Sequence, residues 1–424
     1  MGRSCQSAPT GPAPRPNPAL RHHARVTPER RAALLQRGLV VVGIVVLGFN
    51  LRPAAISVGP ILGDISNGLQ MSAAETGALT SLPVLAFAVF GAIAPRLARM
   101  LGLHRLTLVA LLFLVGGLAG RAVVSSVPVF LALSLLALAG MASANVLLPS
   151  LVKLHFPDRV GLMTSIYSTA LAIGLTSTSV LTVPVSEAQD GWRSGLLVWS
   201  LTAGIAVLPW LALIGHDRRP EATSGAIGLL AVARTRLGWL MALFFGLQAL
   251  QAYSIFGWFA ELYRDAGFSA HAAGLLLGVI TGVSIPLSFL IPSIVARTHN
   301  QTVLMCAVMS CYPVGYVGLI LAPHAGALVW AILVGIGTTT FPLILTLIGL
   351  RARTPSGTAA LSGFAQSAGY LIAGTGPFTV GLLHEVSGGW TLPLLALLAV
   401  TVPQLLLGLA VSRPAYVEDE LRRS

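Results

Sequence analysis

Long apolar runs alternate with short polar connectors along this chain, and the runs set its architecture. "GLVVVGIVVLGF", from Gly38 to Phe49, holds twelve residues without a charge. A helix rises 1.5 Å per residue, so crossing a bilayer's hydrocarbon core takes about 20 such residues. Twelve stretches near that length occur, at roughly 38–61, 73–95, 106–125, 128–150, 161–183, 193–215, 237–262, 271–296, 302–322, 325–349, 357–383 and 391–411, by the spanning-length criterion. In lipid a backbone satisfies its own polar groups only as a helix or a closed barrel. The pattern therefore predicts an all-α polytopic membrane protein with twelve transmembrane helices.

The connectors add orientation and symmetry. Tails and alternate loops, counted from the N-terminus, hold 22 of the 26 basic residues, and the opposite loops hold Arg121, Arg193 and Arg264. Basic residues favour the cytoplasmic side, so both termini are expected inside. The polar segment from Gly215 to Arg236 divides the spans into six and six. Pro95 in "PRLAR" answers Pro292 in "PSIVAR", Gly140 in "GMASANVLLP" answers Gly335 in "GIGTTTFP", and Trp192 answers Trp390, at offsets of 197, 195 and 198 residues. Three pairings at nearly one offset indicate a 6+6 pseudo-repeat. The expected organisation is a disordered cytoplasmic tail over 1–37, a six-helix bundle over 38–215, a central loop over 216–236, a second bundle over 237–412 and a tail over 413–424.

Composition narrows the classes further. Hydrophobic residues make up 55% and charged residues 9%, against about 25% charged in soluble domains. The net charge of +12 is spread along one face's loops, which reads as a topology signal and not as a nucleic-acid surface. Lys153 is the only lysine and no "GxxxxGK" precedes it, so no ATP-driven step is expected. Cys5, Cys306 and Cys311 lack zinc or thioredoxin spacing. The nine histidines fall in tails, loops or span ends, which leaves no midplane metal site, and no cofactor is expected. No nucleophile–base or paired-carboxylate set assembles within the spans, which argues against an enzyme. The lipid bilayer and a small molecule are the expected partners, and the chain is expected to act as a monomer.

One residue breaks the apolar pattern. "NLRPAAISVGP" places Arg52 and then Pro53 inside the first span. An arginine near the bilayer centre costs ~2.5–3.5 kcal/mol on insertion scales and usually faces a polar cavity. Its planar fork of five donors suits a small anion. No acid falls in the middle third of a span, so an exchangeable anion is the sharper reading, and pairing with helix-end carbonyls is the structural alternative. Gln248 and Gln251, three apart in span seven, share a helix face and would stand opposite Arg52. Gln366 and Tyr370 in span eleven are four apart, Thr164, Tyr167 and Ser168 form a stripe in span five, and Asn145 lies in span four. Asn50 converges on Arg52 only if Pro53 opens the turn. For each, hydrogen bonding between helices is the plain alternative. Pro53, with Gly376 and Pro377 of "GTGP", are the hinge candidates.

"NLRPAAISVGPIL", "LLPSLVKLHFPDRVGLMTSIY", "GWRSG", "FPLILTLIGLRARTPSGTAALSGFAQSAGYLIAGTGP" and "VGLLHEVSGGW" together resemble the cyanate/2-nitroimidazole transporter branch of the major facilitator superfamily (MFS). The resemblance runs from about Gly38 to Ser412. It implies two six-helix halves with a solute site between them, alternating access, and a small polar solute. Cyanate suits Arg52, efflux of neutral 2-nitroimidazole or drug-like compounds is the rival, and a non-transporting membrane sensor is the reading from another class. One departure stands out: the superfamily's loop "LADRxGRR" reads "LARMLGLHR" here, with Arg99 in place of the acid.

Overall fold

A computed structural model describes Gly2 and residues 28–189, 191–214 and 227–422. Val40–Ser424 forms one compact unit and Met1–Leu39 another. The described chain is helical and runs through α1 (Pro28–Asn50, resumed over Pro53–Ile56 and Leu62–Leu69), α2 (Ala73–Ala86, a wide turn Phe87–Gly91, then Ala92–Leu101), α3 (Leu103–Val123), α4 (Val127–His155), α5 (Val160–Ala188) and α6 (Trp192–Leu213). The second half repeats the plan with α7 (Arg236–Asp265), α8 (Ala270–Arg297), α9 (Thr302–Met309 and Cys311–Leu321), α10 (Ala327–Thr338 and Thr340–Leu350), α11 (Pro355–Ala373 and Thr375–Ser387) and α12 (Thr391–Ser412). A short α13 (Val417–Leu421) ends it.

Prolines explain four of the interruptions. Proline has no N–H for the carbonyl four residues back and its ring crowds that carbonyl. Pro53, Pro313, Pro342 and Pro377 stand four residues beyond Phe49, Met309, Thr338 and Ala373. The helix breaks begin just after those residues, at 51–52, 310, 339 and 374. Proline alone does not suffice, since Pro149, Pro184, Pro209 and Pro403 lie inside unbroken helices.

Among the described residues, eleven helical stretches are long and apolar enough to cross a membrane. The expected span at 357–383 is not one of them, because Ser362, Gln366, Ser367 and Thr375 make α11 too polar; a one-residue break alone does not exclude it, since α9 and α10 are broken likewise and are counted. Large apolar side chains face outward along the helices, as Leu201, Ile205 and Leu208 do on α6, while Ala203, Ala206 and Trp210 of the same helix are buried. An apolar exterior suits lipid, where a soluble fold would aggregate.

Three segments depart from the expected tails and loop. Residues 28–37 are helical, so α1 starts ten residues before the apolar run. Pro28 at the first helical position and the "AALL" that follows favour that start; the rest of the expected disordered tail lies outside the described residues. The central loop is described only from residue 227, where Leu229–Val232 forms a helical turn. The C-terminal tail is tied down. Glu418 accepts from the backbone N–H groups of Arg353 and Thr354 before α11, and Glu420 from that of Leu237 at the start of α7. Carboxylates at helix N-termini satisfy donors that have no helical partner.

The two halves meet at the end that carries the basic loops. Gly161 of α5 packs on Ala296 and the Pro292 carbonyl of α8 so closely that a Cβ would overlap them. Ser165 hydrogen-bonds Ser293 at 2.9 Å, Ser367 donates to the Phe87 carbonyl, and Arg99 of α2 reaches the Ile227 carbonyl at 3.0 Å. The widened turn of α2 at Phe87–Gly91 is what α11 packs against.

Candidate functional site

Beyond those contacts, toward the opposite end, a cavity of about 680 Å³, mouth included, separates the halves. Its walls come from α1 and α5 on one side and α7, α8, α10 and α11 on the other. Arg52 supplies the one charged side chain among its lining residues, and no acid lines it. The break forced by Pro53 puts Arg52 in a non-helical turn at the head of the Pro53–Ile56 segment. Its guanidinium lies 5.0 Å from the ring centre of Phe341 on α10, a cation–π contact across the two halves. The hydroxyls of Tyr253 and Tyr370 face the same guanidinium. Tyr370 is held rigidly, stacked on Phe87 at 3.8 Å and edge-on to Phe245 at 5.1 Å.

Two further polar groups on the wall have no partner. Gln248 is 1% exposed with its Oε1 unbonded, and the buried Ser168 hydroxyl is unbonded too. Ser284 and Thr338, by contrast, spend their hydroxyls on carbonyls of their own helices. Buried polar atoms are normally paired, so unpaired ones on a cavity wall point to a ligand or water. The wall therefore offers a guanidinium, an amide oxygen and a hydroxyl, framed by Tyr253, Phe256, Phe341 and Tyr370. Such a wall accepts a small planar solute that carries or concentrates negative charge.

The structure brings together only some of the residues singled out from sequence. Arg52, Gln248 and Tyr370 line the cavity, and Ser168 of the span-five stripe joins them. Gln251 does not: its amide donates to the Leu397 carbonyl of α12 and accepts from Tyr316 of α9, on the rear of α7. Residues three apart on a helix are about 60° apart in direction, enough to separate their duties. Asn50 likewise turns back, bonding Val46 and Thr202, and so ties α1 to α6. Opening the turn at Pro53 moves Arg52 into the cavity and leaves Asn50 at the helix end. Asn145 and Gln366 meet each other at 2.5 Å and Gln366 reaches Ser362, a bridge between α4 and α11. Tyr167 is buried among helices and absent from the wall, with its backbone against Gly48 of α1. As for the hinge candidates, the α11 break falls at Gly374, while Gly376 is wedged against Leu250 and Ser254, and the Pro377 carbonyl accepts from Trp258.

Two arginines depart from the reading of Arg52 as the sole charge at depth. Arg121, placed by sequence in a loop, is a fully buried residue of the last turn of α3. Arg351 is buried beside the end of α10, bonded to Gln301 and to the Val411 and Ser412 carbonyls. Sequence reasoning also passed over Tyr253 and Phe341. The first was within reach, because Gln248, Ala249, Ala252, Tyr253 and Phe256 form one helical stripe. Phe341 carried no such signal, since only the fold brings α10 opposite α1.

Comparison with known proteins gives one consistent answer. The family profile of the Major Facilitator Superfamily matches residues 39–377. The transporter YycB of Bacillus subtilis is 34% identical over 394 residues, covering 92% of this chain and 98% of its own length. The 2-nitroimidazole transporter of Escherichia coli is 33% identical over 89% of this chain and 96% of its own. The cyanate transport protein CynX of the same organism is 27% identical over 82% and 90%. In three dimensions the proton:xylose symporter XylE superposes with a TM-score of 0.74 at 13% identity, covering 92% of this chain and 99% of that structure.

Proposed function

This chain belongs to the major facilitator superfamily and is a multi-pass membrane transporter, not an enzyme; from that premise we propose that it carries a small monovalent anion, cyanate-like in size, through the Arg52 cavity by alternating access. The observation that carries this reading is the wall itself: one guanidinium, no acid beside it, and two unpaired neutral polar groups within the same cavity. A guanidinium without a counter-ion on its wall attracts an exchangeable anion, and the unpaired Ser168 hydroxyl supplies an orienting donor, while the free Oε1 of Gln248 can only accept. The relative named for cyanate supports the class of solute.

A second reading has its own support. Four aromatic side chains line the cavity with Arg52, and its volume exceeds what a triatomic anion fills. A planar nitroheterocycle would stack on these rings and offer its nitro oxygens to the guanidinium, in keeping with the relative named for 2-nitroimidazole. Uptake of labelled cyanate and labelled 2-nitroimidazole into proteoliposomes, each competed by the other, decides between them. Saturable cyanate uptake that is lost in Arg52→Gln supports the anion reading. Uptake of 2-nitroimidazole alone replaces it with the second, and saturable uptake of neither removes both.

A further inference from the structure

A second cavity lies inside the first half, on the other side of the turn that carries Arg52. It measures about 460 Å³, mouth included, and is walled by Val58, Leu79, Pro83 and Leu138, with Arg121 and Ser134 as its polar members. Both polar residues have 0% exposure. Arg121 Nη1 donates to the Ala54 carbonyl at 3.0 Å, and Nη2 to the Ser57 hydroxyl at 2.8 Å. The Ser57 hydroxyl in turn donates a hydrogen bond to the Pro53 carbonyl. Arg121 thus grips the segment just after Arg52 from behind. Its Nε–H has no partner, and neither does the Ser134 hydroxyl.

The charge at Arg121 is unbalanced. No aspartate or glutamate lines this cavity, and a buried charge without a partner is among the most expensive arrangements in a folded chain. Water in the cavity would occupy the two free donors and leave the charge uncompensated. We propose that this cavity binds a small monovalent inorganic anion, of the halide or nitrate class, held by Arg121 Nε–H and the Ser134 hydroxyl. One guanidinium balances one negative charge. The apolar remainder of the wall replaces no hydration shell, so weakly hydrated bromide and nitrate are favoured over chloride, and sulfate is refused. The bound anion fixes the 54–57 turn from the rear and serves as a structural ion, distinct from the solute carried at Arg52.

The test needs no transport assay. Purified protein is held in sodium gluconate, whose many hydroxyls keep it strongly hydrated and out of an apolar-walled cavity. Gluconate is then replaced by bromide, nitrate or sulfate at constant ionic strength while thermal unfolding is followed. Bromide and nitrate should raise the melting temperature saturably, and sulfate should not. Ser134→Ala should fold normally and shift half-saturation about three- to tenfold upward, the effect of one hydrogen bond. Arg121→Met should lose the response, and Arg52→Gln should keep it. Superimposed bromide and gluconate curves for the wild-type chain would mean the cavity holds only water, and the proposal fails. It fails equally if Ser134→Ala and Arg121→Met respond like wild type, or if Arg52→Gln alone abolishes the effect, which would assign the ion to the central cavity.

Discussion

Gln248 and Gln251 are a matched pair of experiments at the scale of single residues. Gln248 faces the cavity with a free oxygen, while Gln251 has both ends of its amide bonded to neighbouring helices. Gln248→Leu should raise KM with little change in melting temperature. Gln251→Leu strands the Tyr316 hydroxyl and the Leu397 carbonyl, at about 1–3 kcal/mol for each buried group left unpaired. It should lower the melting temperature and leave KM of the surviving protein unchanged. Uptake kinetics and unfolding measured on the same preparations separate the two, and a swapped pattern would contradict the placement. Arg52 answers to the same pair of measurements. Hydrogen bonds to charged groups are worth about 1.5–3 kcal/mol, so Arg52→Gln should weaken solute affinity roughly ten- to a hundredfold. Arg52→Lys keeps the charge without the fork and should fall between. Normal uptake by a less stable Arg52→Gln protein would make the arginine structural.

Among elements, the proline-set breaks offer a controlled series. Pro53 and Pro342 interrupt helices that line the cavity, and Pro313 interrupts α9, which contributes nothing to that wall. Replacing each by alanine restores a donor for the carbonyl four residues back. Pro53→Ala and Pro342→Ala should lower kcat more than they change KM, while Pro313→Ala should leave transport unchanged. Equal effects from all three would detach the breaks from function. The Phe49 carbonyl freed by Pro53 lies so near Gly174 of α5 that a Cβ there would overlap its oxygen. Gly174→Val should therefore destabilise by about 1–3 kcal/mol through forced separation of α1 from α5, read as a lower melting temperature.

These elements also show what the sequence made legible. Apolar length and proline placement foretold the spans and the opened turn at Arg52, because both are local properties. Which way Asn50 and Gln251 point was not legible, because partners on α6, α9 and α12 decide it. Arg121 was misplaced for a related reason. A charge near the end of an apolar run reads as a loop until the fold buries it against the 54–57 turn. Phe341 was invisible as a single apolar residue whose role exists only across the interface of the two halves.

For the whole molecule, the closed end is the one with the basic loops, so cytoplasmic termini would make this an outward-facing carrier. Single cysteines at Asp64, Glu187 and His324, in a background without Cys5, Cys306 and Cys311, should react with an impermeant thiol reagent outside intact cells. Reaction of either tail from outside would invert the topology. Energetics follow from the acid-free wall. With no carboxylate lining the cavity, uptake should equilibrate or exchange solute without following a pH gradient. Proton-driven accumulation that persists in Glu261→Gln would defeat that expectation, since Glu261 near the outer end of α7 is the alternative relay.

The contact between Arg52 and Phe341 carries a kinetic consequence. The guanidinium of the first half rests on a ring of the second, a clasp across the interface of the two halves. A bound anion takes over the guanidinium and releases the clasp. At about 0.5–2 kcal/mol for such a contact, the vacant return step should be slower than the occupied one by roughly two- to thirtyfold. Vesicles preloaded with unlabelled solute would then take up label faster than empty vesicles accumulate it. Phe341→Leu should shrink that difference by speeding the empty journey while the loaded one keeps its pace.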